Sequence, residues 1–334
     1  MGDLIHTLPA LTDASMHCPG IRFDWVCERA FAEIPTWHPA VDTAIPINLR
    51  EWKGRPLSIR SLHETIRACL RLRSSRYPYI IDAQGLIKSA LVTGISRGAG
   101  VGMNWSSCKE GMASFAYKKR FGIDKGRHAI DRVRDLFARA LGYRYDDARL
   151  DYGLNPPDFS GIGRDNPYLV FLHGTSAEKK MWNHSDWIEL AGNARQAGFE
   201  VLVPWANPNE LSRAQNLASV CANIRVLSRM TLTGMAGVLA GASGVVGVDT
   251  GLSHLAAALG TPAVTLYIAT LPGLTGTRGN NQLSLFTKEL AATSARDRVG
   301  MNGVENRTLD NLDASSVWSV LQEQMGWSDQ KSNL

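Results

Sequence analysis

At 334 residues, 44% of them apolar and 20% charged, the chain has the composition of a soluble globular protein, and its length points to two domains at about 150 residues each. Five scattered cysteines (Cys18, Cys27, Cys69, Cys108, Cys221) with no CxxC pair argue against a disulfide framework or a structural zinc and suit a reducing compartment. The net charge of +5 divides unevenly: residues 1–152 carry 23 Lys+Arg against 16 Asp+Glu (+7) and residues 153–334 carry 13 against 15 (−2), so the first half projects a positive field suited to an acidic partner.

The first residues, Met1 to Pro9, lack the basic start and long apolar run of a signal peptide. They read at once as a helix, closed by Thr12, Asp13 and Pro19, although a doubly wound domain usually begins with a core strand. Strands are expected at 23–27, 44–47 and 79–81, with helical patterns over 62–72 and 128–141. Arg67, Arg71, Arg73 and Arg76 read as the wet side of a helix. The glycine-rich run 98–102 fits no dinucleotide fingerprint and opens no helix. A denser basic cluster, Lys118, Lys119, Arg120, Lys125 and Arg127, falls in a glycine-containing loop that could hold phosphate. Three prolines and three glycines within 153–167 mark a linker.

Beyond the linker, strands are expected at 168–172, 200–203, 225–227, 245–248 and 263–267. Helices should cover 185–197, 210–220, 232–240 and 251–259, with a last one over 314–325 whose apolar face is Val317, Val320 and Leu321. The uncharged run 255–277 is broken by Gly260, Pro262, Pro272 and Gly273, so two core elements and a loop are expected there rather than a membrane span. Strands alternating with helices on both sides of the linker predict two doubly wound α/β domains with a ligand cleft between them.

Several segments could carry chemistry. Gly244 to Asp249 is an apolar strand ending in an acid, after which Thr250 and Gly251 start a helix. Asp249 or Thr250 can cap that helix, and its free N–H groups and dipole favour a phosphate, with His254 one turn in. A plain N-cap with a core histidine accounts for the same pattern equally well. A second strand leads into His173-Gly174-Thr175-Ser176 and then Lys179 and Lys180, hydroxyls and ammonium groups such as a leaving diphosphate needs, or merely solvated charge. Glu210 follows the next strand, where an acid can bind ribose hydroxyls or simply favour a helix start. In the first half, residues 80–90 form a strand, a glycine turn and a helix containing Lys88, either facing a cleft or exposed. There is no P-loop, no HExxH and no nucleic-acid motif.

Taken in order, Met1-Gly2-Asp3 through Ala14, Phe23 to Val26, Ile81 to Ala90, Val203 to Trp205 and Val248-Asp249-Thr250-Gly251-Leu252-Ser253-His254 resemble segments of the lipopolysaccharide heptosyltransferases of glycosyltransferase family 9. The resemblance implies a GT-B fold, two Rossmann-like doubly wound α/β domains facing a central cleft. Residues 1–155 would bind the acceptor, 165–310 the donor, and 311–334 would form a C-terminal helix and tail. It implies inverting transfer of heptose from ADP-L-glycero-D-manno-heptose to the Kdo sugar of Kdo2-lipid A, without metal or cofactor. The implied setting is a monomer peripheral on the anionic cytoplasmic face of the inner membrane, with no nucleic-acid partner.

By the same resemblance, Asp3 is the general base, and Thr175, Ser176 and Lys180 stabilise the leaving diphosphate with the amides of Thr250 and Gly251, beside Asp249 and His254. Glu210 would bind the ribose and Met230 would lie by the adenine, while Arg50, Lys53 and Lys109 would meet the acceptor's phosphates and carboxylates. Two departures stand out. Family members carry an apolar strand about ten residues before Met-Gly-Asp, so a mis-assigned start codon or a trimmed chain is expected. The loop after Tyr267, Ile268 to Pro272, replaces the family's Gly-Pro-Thr-Asp-Pro at the donor site. Transfer to an already heptosylated core, or nucleotide-sugar binding without catalysis, are the alternatives.

Overall fold

The computed structural model describes residues 1–48, 67, 70–154, 166–175, 177–293 and 304–327. Two units divide the chain: Asp3–Asn155, and Met1–Gly2 together with Pro156–Leu334.

Helix α1 spans Gly2–His17 and does not stop at Thr12 and Asp13 as the sequence suggested. Both residues are buried inside it, because each finds a polar partner in the first unit. Thr12 Oγ1 lies 3.1 Å from His38 Nε2, and the Asp13 carboxylate accepts from Arg134 Nε and Nη2 at 2.7 and 3.2 Å. A satisfied side chain no longer competes with the helix backbone, so the usual helix-ending tendency of these residues is lost.

After α1 come β1 (Phe23–Glu28), the short α2 (Glu33–Thr36) and β2 (Val41–Ile47). Next are β3 (Arg76–Ile81), α3 (Ile87–Ile95), β4 (Arg97–Met103), β5 (Lys119–Phe121) and α4 (Ala129–Leu141). These strands form two separate parallel sheets, β1-β2 and β3-β4-β5. Arg76 therefore opens a strand rather than continuing the helix that holds Arg71 and Arg73. The glycine-rich run 98–102 is strand β4, and Lys119–Phe121 is a strand within the expected basic loop. Gly102 has to be glycine because a Cβ there would run into the Tyr117 ring, which covers that face of β4.

In the second unit the elements are β6 (Tyr168–Leu172), α5 (His184–Gln196), β7 (Glu200–Val203), α6 (Pro208–Val220), β8 (Ile224–Val226) and α7 (Leu232–Ala240). Then follow β9 (Gly244–Val248), α8 (Gly251–Ala258), β10 (Ala263–Leu266), β11 (Gln282–Thr287), α9 (Lys288–Thr293), β12 (Asn306–Leu309) and α10 (Ala314–Met325). The described residues place these strands in one parallel sheet ordered β12-β11-β10-β9-β6-β7-β8. Central strands β6, β9 and β10 are buried along their whole length, as expected for a sheet covered on both faces. Helix α10 joins this core through Ala314, Val317, Val320 and Leu321, so the C-terminal helix is part of the second unit's packing. Strands β11 and β12 lie outside the sequence expectation. Buried Gln282 and Ser284 interrupt the apolar run of β11, and β12 is an exposed edge.

Candidate active site

Sheet order reverses between β6 and β9: the chain winds outward from β6 through β7 to β8, and from β9 through β10 to β12. Helices leave the two neighbouring strand ends in opposite directions there, opening the crevice where doubly wound sheets bind ligands. His173, Gly174 and Thr175 follow β6, while Asp249, Thr250 and Gly251 follow β9.

On the β6 side, His173 is buried, and burial lowers its pKa and favours the neutral ring. Its Nε2 lies 3.2 Å from the Glu210 carbonyl. Gly174 sits against the Glu210 side chain, where an added Cβ would come 2.8 Å from Cδ, so glycine lets the first turn of α6 close onto the end of β6. Glu210 is also a helix-capping acid. Its carboxylate accepts from Ala206 N at 2.7 Å and Asn207 Nδ2 at 2.8 Å, and Asn207 Oδ1 in return accepts from Glu210 N. That reciprocal arrangement fixes the carboxylate at the crevice rim. The capping and ligand readings of Glu210 thus share one geometry.

On the β9 side, Thr250 is the N-cap residue of α8 and makes no side-chain cap hydrogen bond. Asp249 does not cap the helix either. Its Oδ2 accepts from Lys180 Nζ at 2.5 Å and from Thr270 Oγ1 at 3.3 Å. Ser253 N and His254 N bond back to the Thr250 carbonyl at 3.1 and 3.4 Å, so the amides of Gly251 and Leu252 are the ones this helix start offers to an outside acceptor. His254 is buried one turn in, its Nε2 4.0 Å from Asp249 Oδ1. Of the two candidate lysines, Lys179 is exposed and Lys180 is half-buried against Asp249, so only Lys180 belongs to the crevice. Thr270 lies in the divergent Ile268–Pro272 loop. It is a site contact that sequence reasoning gave no role, and no local pattern marks it. Met230 is half-buried beside Gly234, ahead of α7.

In the first unit, Asp3 lies in the first turn of α1, where the helix dipole favours a carboxylate. Lys109 Nζ reaches its two oxygens at 3.3 and 3.4 Å, joining the expected base to one of the expected acceptor cations. Asp82 of the strand–turn–helix segment is committed to structure. Its Oδ1 accepts from Gln84 N and Gly85 N, and its Oδ2 accepts the Tyr117 hydroxyl at 2.6 Å. Arg127 of the basic cluster pairs with Asp135 and Asp147, leaving Lys118, Lys119, Arg120 and Lys125 exposed. Arg50, Lys53 and Ser176 lie outside the described residues.

The family model described as glycosyltransferase family 9 (heptosyltransferase) matches residues 66–302. The chain belongs to this family. It is therefore a glycosyltransferase of the heptosyltransferase type. Its sequence is 45% identical to lipopolysaccharide heptosyltransferase 1 of Escherichia coli K12 over 287 residues, 85% of this chain and 89% of that protein. It is 43% identical to the Salmonella typhimurium protein of the same name over 324 residues, 96% of both chains. The solved structure of E. coli heptosyltransferase WaaC with ADP superimposes with a TM-score of 0.86 at 40% identity, covering 97% of this chain and 96% of that one. The WaaC structure with ADP-2-deoxy-2-fluoro heptose gives 0.81 at 39% identity, covering 96% of both. Family membership fits the parallel α/β architecture expected from the sequence. Among the described residues no helix is long and apolar enough to cross a membrane.

Proposed function

We propose that this heptosyltransferase moves L-glycero-D-manno-heptose from ADP-heptose to the Kdo of Kdo2-lipid A, with inversion at the anomeric carbon. The observation that carries the reading is the crevice at β6 and β9, with an uncapped helix start, a half-buried ammonium and an acid at the rim within one unit. The named relatives, and the ADP and ADP-sugar analogue in the related structures, support the choice of donor. The α8 amides and Lys180 would bind the diphosphate, Glu210 the ribose hydroxyls, and Met230 the adenine face. The acceptor hydroxyl oxygen forms the new bond to the anomeric carbon while its proton passes to Asp3. The bond from that carbon to the phosphate oxygen breaks, and ADP leaves with the electron pair. Lys180 and the helix start would stabilise the charge that builds on the leaving oxygen. Lys109, already paired with Asp3, is suited to hold the carboxylate in place and to meet an acidic acceptor.

The setting proposed is the cytoplasmic face of the inner membrane. Exposed Trp105, Met112 and Phe115 on the basic first unit, near in sequence to Lys118, Lys119 and Arg120, support contact with an anionic lipid surface. Release of ADP from ADP-heptose in the presence of Kdo2-lipid A tests the reaction directly. Asp3→Asn should lower kcat by about 10²-fold or more, as loss of a general base does, while ADP binding measured by calorimetry stays unchanged. Full turnover in that variant removes Asp3 from the mechanism. Turnover only with an already heptosylated core assigns the chain to the later transfer, and ADP binding without turnover on either acceptor marks a non-catalytic binder.

A further inference from the structure

The charged side chains of the β6–β9 crevice meet at one oxygen. Asp249 Oδ2 accepts from Lys180 Nζ at 2.5 Å and from Thr270 Oγ1 at 3.3 Å. Asp249 Oδ1 stands 4.0 Å from His254 Nε2, beyond hydrogen-bond reach. The orientation of the carboxylate therefore depends on what holds Oδ2. Lys180 is poorly suited to fix it, because its ammonium rides on a flexible four-carbon stem that leaves the short turn of residues 178–180. An ammonium that has to be aimed cannot also be the reference that aims it.

Thr270 has the opposite character. Its side chain branches at Cβ, so the hydroxyl has few positions open to it. Apolar contacts pin the backbone on either side. Ile268 packs against the core of the second unit, and Leu271 is buried in a satellite cluster with Tyr267 and Phe286, against Leu290 and Ala291 of α9. Hydrogen bonds close the loop behind it. Tyr267 N donates to the Leu285 carbonyl at 2.8 Å, the Tyr267 hydroxyl accepts from Thr277 N at 2.9 Å, and Gly276 N donates to the Pro272 carbonyl at 2.6 Å. Thr270 thus reaches the crevice from a segment tied down at both ends, and its short, stiff side chain carries that rigidity to Asp249.

We propose that Thr270 is a positioning residue for the transfer. Its hydroxyl donates to Asp249 Oδ2 and holds the carboxylate so that Lys180 Nζ stays aimed at the oxygen on which ADP leaves. Thr270 keeps its proton throughout and touches neither sugar nor phosphate. The inference rests on the transfer proposed above, and it gives the Ile268–Pro272 loop a part in the rate of transfer rather than in donor affinity. At 3.3 Å the bond is long for a hydroxyl donor. Its loss is therefore set at the scale of one ordinary hydrogen bond, about fivefold in rate, well below the loss of Lys180 itself.

The test compares two variants of the full chain: Thr270→Val, which keeps the shape and removes the hydroxyl, and Thr270→Ser, which keeps the hydroxyl. ADP release is measured with ADP-heptose and saturating Kdo2-lipid A. Thr270→Val should lower kcat about fivefold and leave the KM for ADP-heptose within about twofold, and Thr270→Ser should recover most of the rate. On a Lys180→Ala background the Thr270→Val change should have almost no further effect, since a residue that acts through Lys180 has nothing left to position. A second readout needs no turnover. It is the rate at which acetic anhydride modifies Lys180, followed by peptide-mapped mass spectrometry with the exposed Lys179 as internal standard. Thr270→Val should speed Lys180 modification about threefold relative to Lys179, the scale of one loosened ion pair, and Thr270→Ser should not. Thr270→Ala carries the same expectations if the valine variant does not fold.

Unchanged kcat in the valine variant overturns the proposal, as does unchanged Lys180 modification. So does a KM rise with kcat intact, which would make Thr270 a donor ligand, or a loss that persists in full without Lys180. A wild-type chain that transfers heptose to no acceptor removes the proposed activity instead, and the Lys180 labelling then decides the role of Thr270 alone.

Discussion

Lys180 and Asp249 show how little of a site's chemistry is carried by residue type alone. Two adjacent lysines are equivalent on paper, yet the turn of residues 178–180 puts one in solvent and the other 2.5 Å from a carboxylate. The pairing holds Lys180 in place while leaving two of its three protons for phosphate oxygens. Lys180→Ala should therefore lower kcat more than it raises the KM for ADP-heptose, by about 10² in kcat, the scale of removing one leaving-group donor. Steady-state kinetics with saturating acceptor decide it, and a pure KM effect would reduce Lys180 to a ground-state ligand. Cys27 illustrates the opposite case, a residue whose behaviour burial sets. Desolvation, with a smaller push from the Glu28 charge, raises its thiol to about 11. Only the thiolate reacts, so its alkylation rate should climb about tenfold per pH unit between pH 7 and 10. Peptide-mapped mass spectrometry can follow it, and a plateau near pH 9 would show a thiol of ordinary acidity.

Elements were legible where a single physical signal governed them. Strands β6, β7 and β9 are short apolar runs with few other readings, and α7 and α10 have the expected ends. The sequence failed where tertiary partners override local preference. Helix α1 continues through Thr12 and Asp13 because His38 and Arg134 wait for them from elsewhere in the first unit. Strand β4 is hidden because its glycines answer to tertiary neighbours, the Tyr77 carbonyl at Gly98, the Ala116 carbonyl at Gly100 and the Tyr117 ring at Gly102, which no local pattern announces. At the crevice, the ends of β6 and β9 were legible from their apolar runs and Glu210's capping role from its place at a helix start, whereas the Thr270 contact depends on how the loop after β10 folds back. The Asp13–Arg134 pair ties α1 to α4 and is nearly sealed from solvent, at 6% and 1% side-chain exposure. Arg134 also donates to the carbonyls of Asp146 and Arg149. Asp13→Ala would leave that guanidinium buried without its counter-charge, and should destabilise the first unit by about 3–5 kcal/mol. Urea denaturation measures it. A loss below about 1 kcal/mol would mean that water or a neighbour replaces the carboxylate.

At the scale of the molecule, the charge division seen in the composition follows the two units. The basic half exposes Trp105 and Phe115, and the near-neutral half contains the β6–β9 crevice. If ADP is held as proposed, its binding free energy should appear in one unit. Hydrogen exchange with saturating ADP should slow amides at the start of α8 and the ends of β6 and β9, with β1 and β2 unchanged. Uniform protection of both units would contradict an assignment confined to the second. The sheet order has a consequence for how the protein is made. Leu169 of β6 pairs with Gly244 of β9, 75 positions later, after β7 and β8 have already added to the other flank. A nascent chain can therefore build β6-β7-β8 early, but it keeps the inner edge of β6 open until β9 leaves the ribosome. During synthesis the future nucleotide crevice is a bare strand edge, the stretch of this protein most in need of a chaperone.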